Sequence, residues 1–305
     1  MLLPGAMVLG LLCIGLVAAG VTQRRTALPD HADRGVRHDR MVHVLALVVA
    51  LLSAVLGALW AMESPTVQGG LAIPLAATYG AGLGYVAVQA AGQLVWPRPA
   101  GEHRRAALVP RGVADVTGPW ARPLLAIPLA VLATAVVAPA VFAPLDGPSA
   151  GARDIYQAGW DQPPGAVATL RHVLGLGWPG LRYGFPTVVA TGLLLGLAVI
   201  ALRAVADRSR VADVDADFDH EARRTVARRI VCVTAGVLAA AGGWLVLAAG
   251  SRLVEIGTGM TVRAGVLLLA VGTMWAAAGV LVAVLGVVWP AGRRVAGPTM
   301  AGSRA

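Results

Sequence analysis

A chain of 305 residues that is 57% hydrophobic and 13% charged, with a mean hydropathy of +0.72, has too much apolar surface for a water-soluble fold of ordinary surface-to-volume ratio. Its net charge of +9 comes from 25 basic residues, all arginine, the composition expected of a GC-rich bacterial coding sequence. The arginines sit in short clusters between apolar runs without interleaved aromatics, which excludes a nucleic-acid-binding domain and points to the lipid bilayer as the partner.

About 20 apolar residues at a rise of about 1.5 Å cross a hydrocarbon core. Seven stretches qualify or nearly do: residues 4–21, 41–62, 71–95, 123–143, 186–206, 230–250 and 262–289. They lack the alternation of barrel strands, and only helices satisfy the backbone in lipid. The expectation is therefore an all-α, polytopic membrane helix bundle of about seven transmembrane helices. The first run has no basic region before it and no small-residue cleavage site ahead of Gln23-Arg24-Arg25, so it reads as a retained anchor. Cys13 and Cys232 both lie inside apolar runs, as small buried hydrophobes rather than as a disulfide.

Arginine counts orient the bundle, because basic residues are retained on the cytoplasmic side. The clusters Arg24 to Arg40, Arg98 to Arg111, Arg208 to Arg229 and Arg293 to Arg304 fall on alternate connections. The expected layout is transmembrane helices 1–4 in residues 1–143 with cytoplasmic loops 22–40 and 96–121, an extracytoplasmic cap at 144–185, helices 5–7 in 186–289 with a cytoplasmic loop at 207–229, and a cytoplasmic tail at 290–305. The N-terminus is then outside, the C-terminus inside, and the protein a multi-pass component of the plasma membrane.

Inside the spans ionisable groups are nearly absent, which argues against a proton or cation pump. His43 and Arg263 are expected at interfacial or snorkelling positions. Gln89 and Gln93 lie one turn apart on the third span, with Tyr79 earlier on the same helix, and these three are the candidates for lining an internal cavity. Pro74, Pro128 and Pro139 are expected to kink or loosen the third and fourth helices. Gly80-x-x-x-Gly84 and Gly192-x-x-x-Gly196 have the spacing of close helix contacts, within the chain or in a homo- or hetero-oligomer. The fourth connection carries Tyr156, Trp160, Trp178 and Tyr183 and reads as a small cap lying on the membrane interface.

The stretch before the sixth span alternates Asp213, Asp215, Asp217 and Asp219 and then adds Glu221. A calcium loop beginning at Asp213 would need Gly at its sixth position and an acid at its twelfth, where Phe218 and Arg224 stand. The five acids are instead expected to form a cytoplasmic docking surface, with Asp219 and Arg223 at pairing distance along a helix. Setting Asp30 against Asp219 also matches His31 with His220, Arg34 with Arg223, Arg40 with Arg229, Val42 with Val231 and Val44 with Val233, as a worn duplication would. The histidines beside these acids lack the spacing of a metal site. No nucleotide-binding, nucleophile-elbow or zinc-protease motif occurs in the sequence, so neither a cofactor nor a metal nor catalytic residues are expected. Two functions fit: a non-catalytic membrane component, permease-like, accessory or sensor, that docks a cytoplasmic protein, and a stand-alone transporter of an uncharged or amphiphilic solute. An intramembrane enzyme ranks third, for want of an acid–base pair in the spans.

Overall fold

The computed structural model describes residues 30–63, 71–96, 112–142, 181–208, 216–256 and 259–288. These residues form seven helices and no strand: α1 (Asp30–Glu63), α2 (Ala72–Leu94), α3 (Val113–Thr117), α4 (Ala121–Phe142), α5 (Leu181–Asp207), α6 (Ala216–Ile256) and α7 (Met260–Val288). Each expected span from the second to the seventh falls on one of the six longer helices, and the first, at residues 4–21, lies outside the described residues. Four helices, α1, α5, α6 and α7, are long and apolar enough to cross a membrane.

Helix α6 is the axis. It packs against α7, α4, α2 and α5, while α1 lies mainly on α2. In α6, 78% of the apolar window is buried, against 17% in α7, so α7 turns most of its surface outward. Met260, Leu267 and Met274 are among its exposed apolar side chains, a coat suited to lipid.

Helix α2 is central and correspondingly less apolar. Tyr79, Gly82, Tyr85, Gln89 and Gln93 recur at helical spacing and are all buried, so the residues that dilute its hydropathy face α1, α5 and α6 rather than the outside.

The expected connections are shorter than the arginine clusters implied. Helix α1 begins at Asp30, inside the expected loop 22–40, and α6 begins at Ala216, inside the expected loop 207–229. Acids near the start of α6 suit the helix dipole, and Asp219 and Arg223 pair across one turn, so a charged segment stays helical. Both aligned segments thus open long helices, although α1 remains more exposed than the axial α6. Helix α5 likewise begins at Leu181, within the expected cap, and Pro186 lies inside it. Pro74 corrects a further expectation: it falls in the first turn of α2, where no intrahelical N–H is required, and so gives no reason for a kink. Helix α4 runs through both Pro128 and Pro139.

The α6–α7 contact is a glycine seam with seven-residue spacing. Gly236, Gly243 and Gly250 of α6 face Gly279, Gly272 and Gly265 of α7, in antiparallel order. A Cβ built on Gly272 would lie 2.8 Å from the Gly243 carbonyl oxygen, and one on Gly265 would lie 2.8 Å from that of Gly250. Gly286 extends the seam against Cys232. The seven-residue period keeps one stripe of each helix facing the other, and the absent side chains let the backbones touch. The four-residue glycine pairs divide. Gly80 and Gly84 are used within the chain, against Ser53 of α1, whereas Gly192 and Gly196 have none of the described atoms within 4 Å.

Candidate functional site at the arginine-bearing end

Antiparallel packing brings the first half of α1, the end of α2, the end of α5 and the start of α6 to one end of the bundle. Most of the buried polar side chains collect there.

The inner layer joins α1 to α2. His43 is 0% exposed, and its Nδ1 lies 3.1 Å from the hydroxyl of Tyr85. The Gln89 amide donates to the same hydroxyl at 3.4 Å. A consistent proton arrangement has Tyr85 accepting from Gln89 and donating to His43, which leaves an N–H on His43 Nε2. His43 is therefore an interior residue, and the expectation that it seeks an interface is corrected: Tyr85 gives it a partner inside. Deeper along α2, the hydroxyls of Tyr79 and Thr191 on α5 are 2.7 Å apart.

The outer layer carries the charges. Arg208, just past the end of α5, donates from Nη1 to Gln93 Oε1 at 3.2 Å, and its guanidinium lies 4.1 Å from the centre of the Trp96 ring. His38 meets the same ring edge-on and bonds through Nε2 to the Gly92 carbonyl at 2.9 Å. Arg229 of α6 reaches back to Asp39 of α1 at 3.4 Å. Burial pulls the Arg208 guanidinium down to about 10, by more than Asp39 gives back. It stays charged at neutral pH.

Arg223 locks the two helix ends together. Only 2% exposed, it donates from Nε to Asp219 at 2.9 Å, from Nη1 to the carbonyls of Val205 and Ala206 at 3.0 and 2.8 Å, and from Nη2 to the Arg208 carbonyl at 2.8 Å. The last carbonyls of α5 lack intrahelical partners, and a guanidinium fork supplies donors to two of them and to the Arg208 carbonyl just beyond. Helix α5 is thus capped by a side chain of α6.

Tyr79, Gln89 and Gln93, expected together from their spacing, do lie together on the buried face of α2, in a packed polar core. The acidic run is divided. Asp213 and Asp215 lie outside the described residues, Asp217 is in the first turn of α6, Glu221 is half-buried, and Asp219 is 0% exposed beneath Arg223. The i,i+4 pairing expected of Asp219 and Arg223 is present, and it takes the Asp219 carboxylate off any exposed surface. Sequence reasoning passed over Asp39, Tyr85, Trp96, Arg208 and Arg229. Tyr85, Gln89 and Gln93 form a four-residue ladder that signals one polar face, but Arg208 and Arg229 read only as topology arginines. Among the described residues no three His, Cys, Asp or Glu side chains gather as metal ligands.

Several buried atoms in this core have no hydrogen-bond partner among the described residues: Arg208 Nε and Nη2, Arg229 Nε, Gln93 Nε2, His43 Nε2, Gln89 Oε1 and Asp39 Oδ1. Five of these seven are nitrogens. No protein-family model matches the chain, and no curated protein or solved structure matches it.

Proposed function

We propose that the chain is a multi-pass plasma-membrane component without catalytic chemistry of its own, whose arginine-bearing end faces the cytoplasm and docks a soluble protein. The observation that supports this reading is the Arg223 lock. Asp213 and Asp215 fall in the sequence between α5 and α6, and Arg223 of α6 bonds to the carbonyls at the end of α5. A charged segment anchored at both ends loses less freedom on binding than a free one.

Replacing Asp213, Asp215 and Asp217 by Asn, with Asp219 left in place, tests the reading. Insertion and unfolding midpoint are expected to stay within about 0.5 kcal/mol of wild type, as for surface substitutions generally. Co-purification of a basic cytoplasmic partner should fall, most at low salt, with the difference from wild type shrinking as salt rises. Unchanged partner profiles at low and moderate salt, with tighter binding of the variant to anionic vesicles, would reduce the run to local charge balance.

Orientation is tested separately. With seven spans and the N-terminus outside, a cysteine placed at Ser149 is labelled by an impermeant thiol reagent in intact cells and one at Ser209 is not. The reverse pattern inverts the topology, and labelling of both positions removes a span.

A stand-alone transporter of an uncharged or amphiphilic solute is the second reading. The buried stripe from Tyr79 to Gln93 favours it, because polar side chains along the length of a central helix offer successive partners to a moving solute. Such a transporter loses flux when Gln89 becomes Leu, whereas the docking reading expects that variant to keep its partner. Self-association is assigned to the Gly192 and Gly196 face of α5, which the described residues leave open.

A further inference from the structure

Arg208 is 7% exposed and carries a full charge, yet its protein contacts engage only one N–H and the ring face. Nε and Nη2 find no acceptor among the described residues. Asp39 does not supply one, since its Oδ2 accepts from Arg229 and its Oδ1 has no bond. Arg229 Nε and Gln93 Nε2 are in the same condition, on residues 4% and 2% exposed. Helices α2 and α6 and the residue just past the end of α5 thus each bring N–H donors unused among the described residues to one end of the bundle. An unmet buried donor on a charged group is among the costliest features a fold can retain.

The charges among the described side chains of these contacts agree: Arg208, Arg223 and Arg229 stand against Asp39 and Asp219. Water could satisfy the donors but would leave the surplus charge. One oxyanion satisfies both. Guanidinium forks match phosphate oxygens, so two arginines and an amide suit a phosphate group. Depth also fits, because Trp96 follows the end of α2 and Arg208 the end of α5, where a span meets the headgroups.

We propose that this end of the bundle binds a single phosphate oxyanion, held by Arg208, Arg229 and Gln93, with the half-buried Trp96 stacked on Arg208 as its movable wall. The oxyanion is the phosphodiester of an anionic lipid or free phosphate. The site does not depend on the docking reading, since Asp213, Asp215 and Asp217 take no part in it.

The test uses the purified full chain. Its unfolding midpoint is measured in neutral detergent with inorganic phosphate against chloride at matched ionic strength, and in nanodiscs of phosphatidylcholine with and without phosphatidylglycerol. A saturable rise of several degrees is expected with phosphatidylglycerol, with phosphate, or with both, and the pattern identifies the source. Arg208→Gln removes the rise while leaving the ligand-free midpoint at or above that of wild type, because it deletes an under-compensated charge; a purely structural Arg208 would instead lower it. Gln93→Glu supplies an oxygen anion from within, so it raises the ligand-free midpoint and also abolishes the response. Arg203→Gln, an exposed arginine on the same helix, keeps the wild-type response. No rise with either probe, together with a lowered midpoint in Gln93→Glu, overturns the proposal and leaves the donors merely hydrated.

Discussion

Arg223→Gln is expected to lower the unfolding free energy by about 3–5 kcal/mol, the range for breaking a buried ion pair from one side. Glutamine is too short to reach the carbonyls of Val205, Ala206 and Arg208 together, and it takes the Arg223 guanidinium away from the buried Asp219 carboxylate. Asp219→Asn is the milder change, at about 1–3 kcal/mol, because the amide oxygen still accepts from Nε and the three carbonyl bonds remain. A combined Arg223→Met, Asp219→Leu variant should be less damaged than Arg223→Gln alone, since both members of the buried ion pair are removed together. Unfolding midpoints in mild detergent, with Arg203→Gln as the exposed control, measure the series. An Arg223→Gln protein within about 0.5 kcal/mol of wild type would mean that the lock contributes nothing, because shifts of that size are ordinary for surface sites.

That result would also explain why the acidic run was only partly legible. Alternating aspartates look alike in the sequence, and nothing local tells Asp219 from Asp213. The difference is tertiary: Asp219 begins the turn that carries Arg223, and Arg223 has the end of α5 to cap. The same cause hid the starts of α1 and α6. Charged residues before an apolar run suggest a loop, but here they pair along the helix or reach across to a neighbour, as Arg229 does to Asp39. Six of the expected apolar stretches fall on helices, four of them long and apolar enough to cross a membrane, because apolar length is a property of the chain itself, independent of packing.

The polar core was half legible. Gln89 and Gln93 stand out in an apolar helix, so their inward direction could be expected. Arg208, Arg229 and His43 could not be assigned in that way, because an arginine beside a span is ordinarily a topology signal and a histidine near a span end ordinarily seeks the interface. What decides their role is the partner facing them from another helix, Gln93, Asp39 and Tyr85 respectively. The glycine seam, by contrast, is written plainly in the sequence as Gly236, Gly243, Gly250 and Gly265, Gly272, Gly279, Gly286. A search for four-residue spacing misses a seven-residue period.

That seam sets the second large effect. Gly243→Ala adds one methyl group, and in an open helix the change would stabilise by up to about 1 kcal/mol through propensity alone. At Gly243 the methyl carbon meets the backbone nitrogen of Ala276 and lies 2.7 Å from the carbonyl oxygen of Gly272. Backbone cannot rotate away as a side-chain end can, so the two helices must separate. The loss should then be at the upper end of the roughly 1–3 kcal/mol seen for added core methylenes, or beyond it. Helix α7 is exposed to the consequence because α6 is its main neighbour among the described helices, so widening one contact loosens the whole helix. Gly192→Ala is the internal control, with none of the described atoms within 4 Å, and is expected to be neutral or slightly stabilising in detergent-dispersed monomer. Measured side by side, the two variants should differ in sign. Equal midpoints for Gly243→Ala and Gly192→Ala would show that the α6–α7 backbones do not touch at Gly243, and the seam would have to be replaced by ordinary side-chain packing.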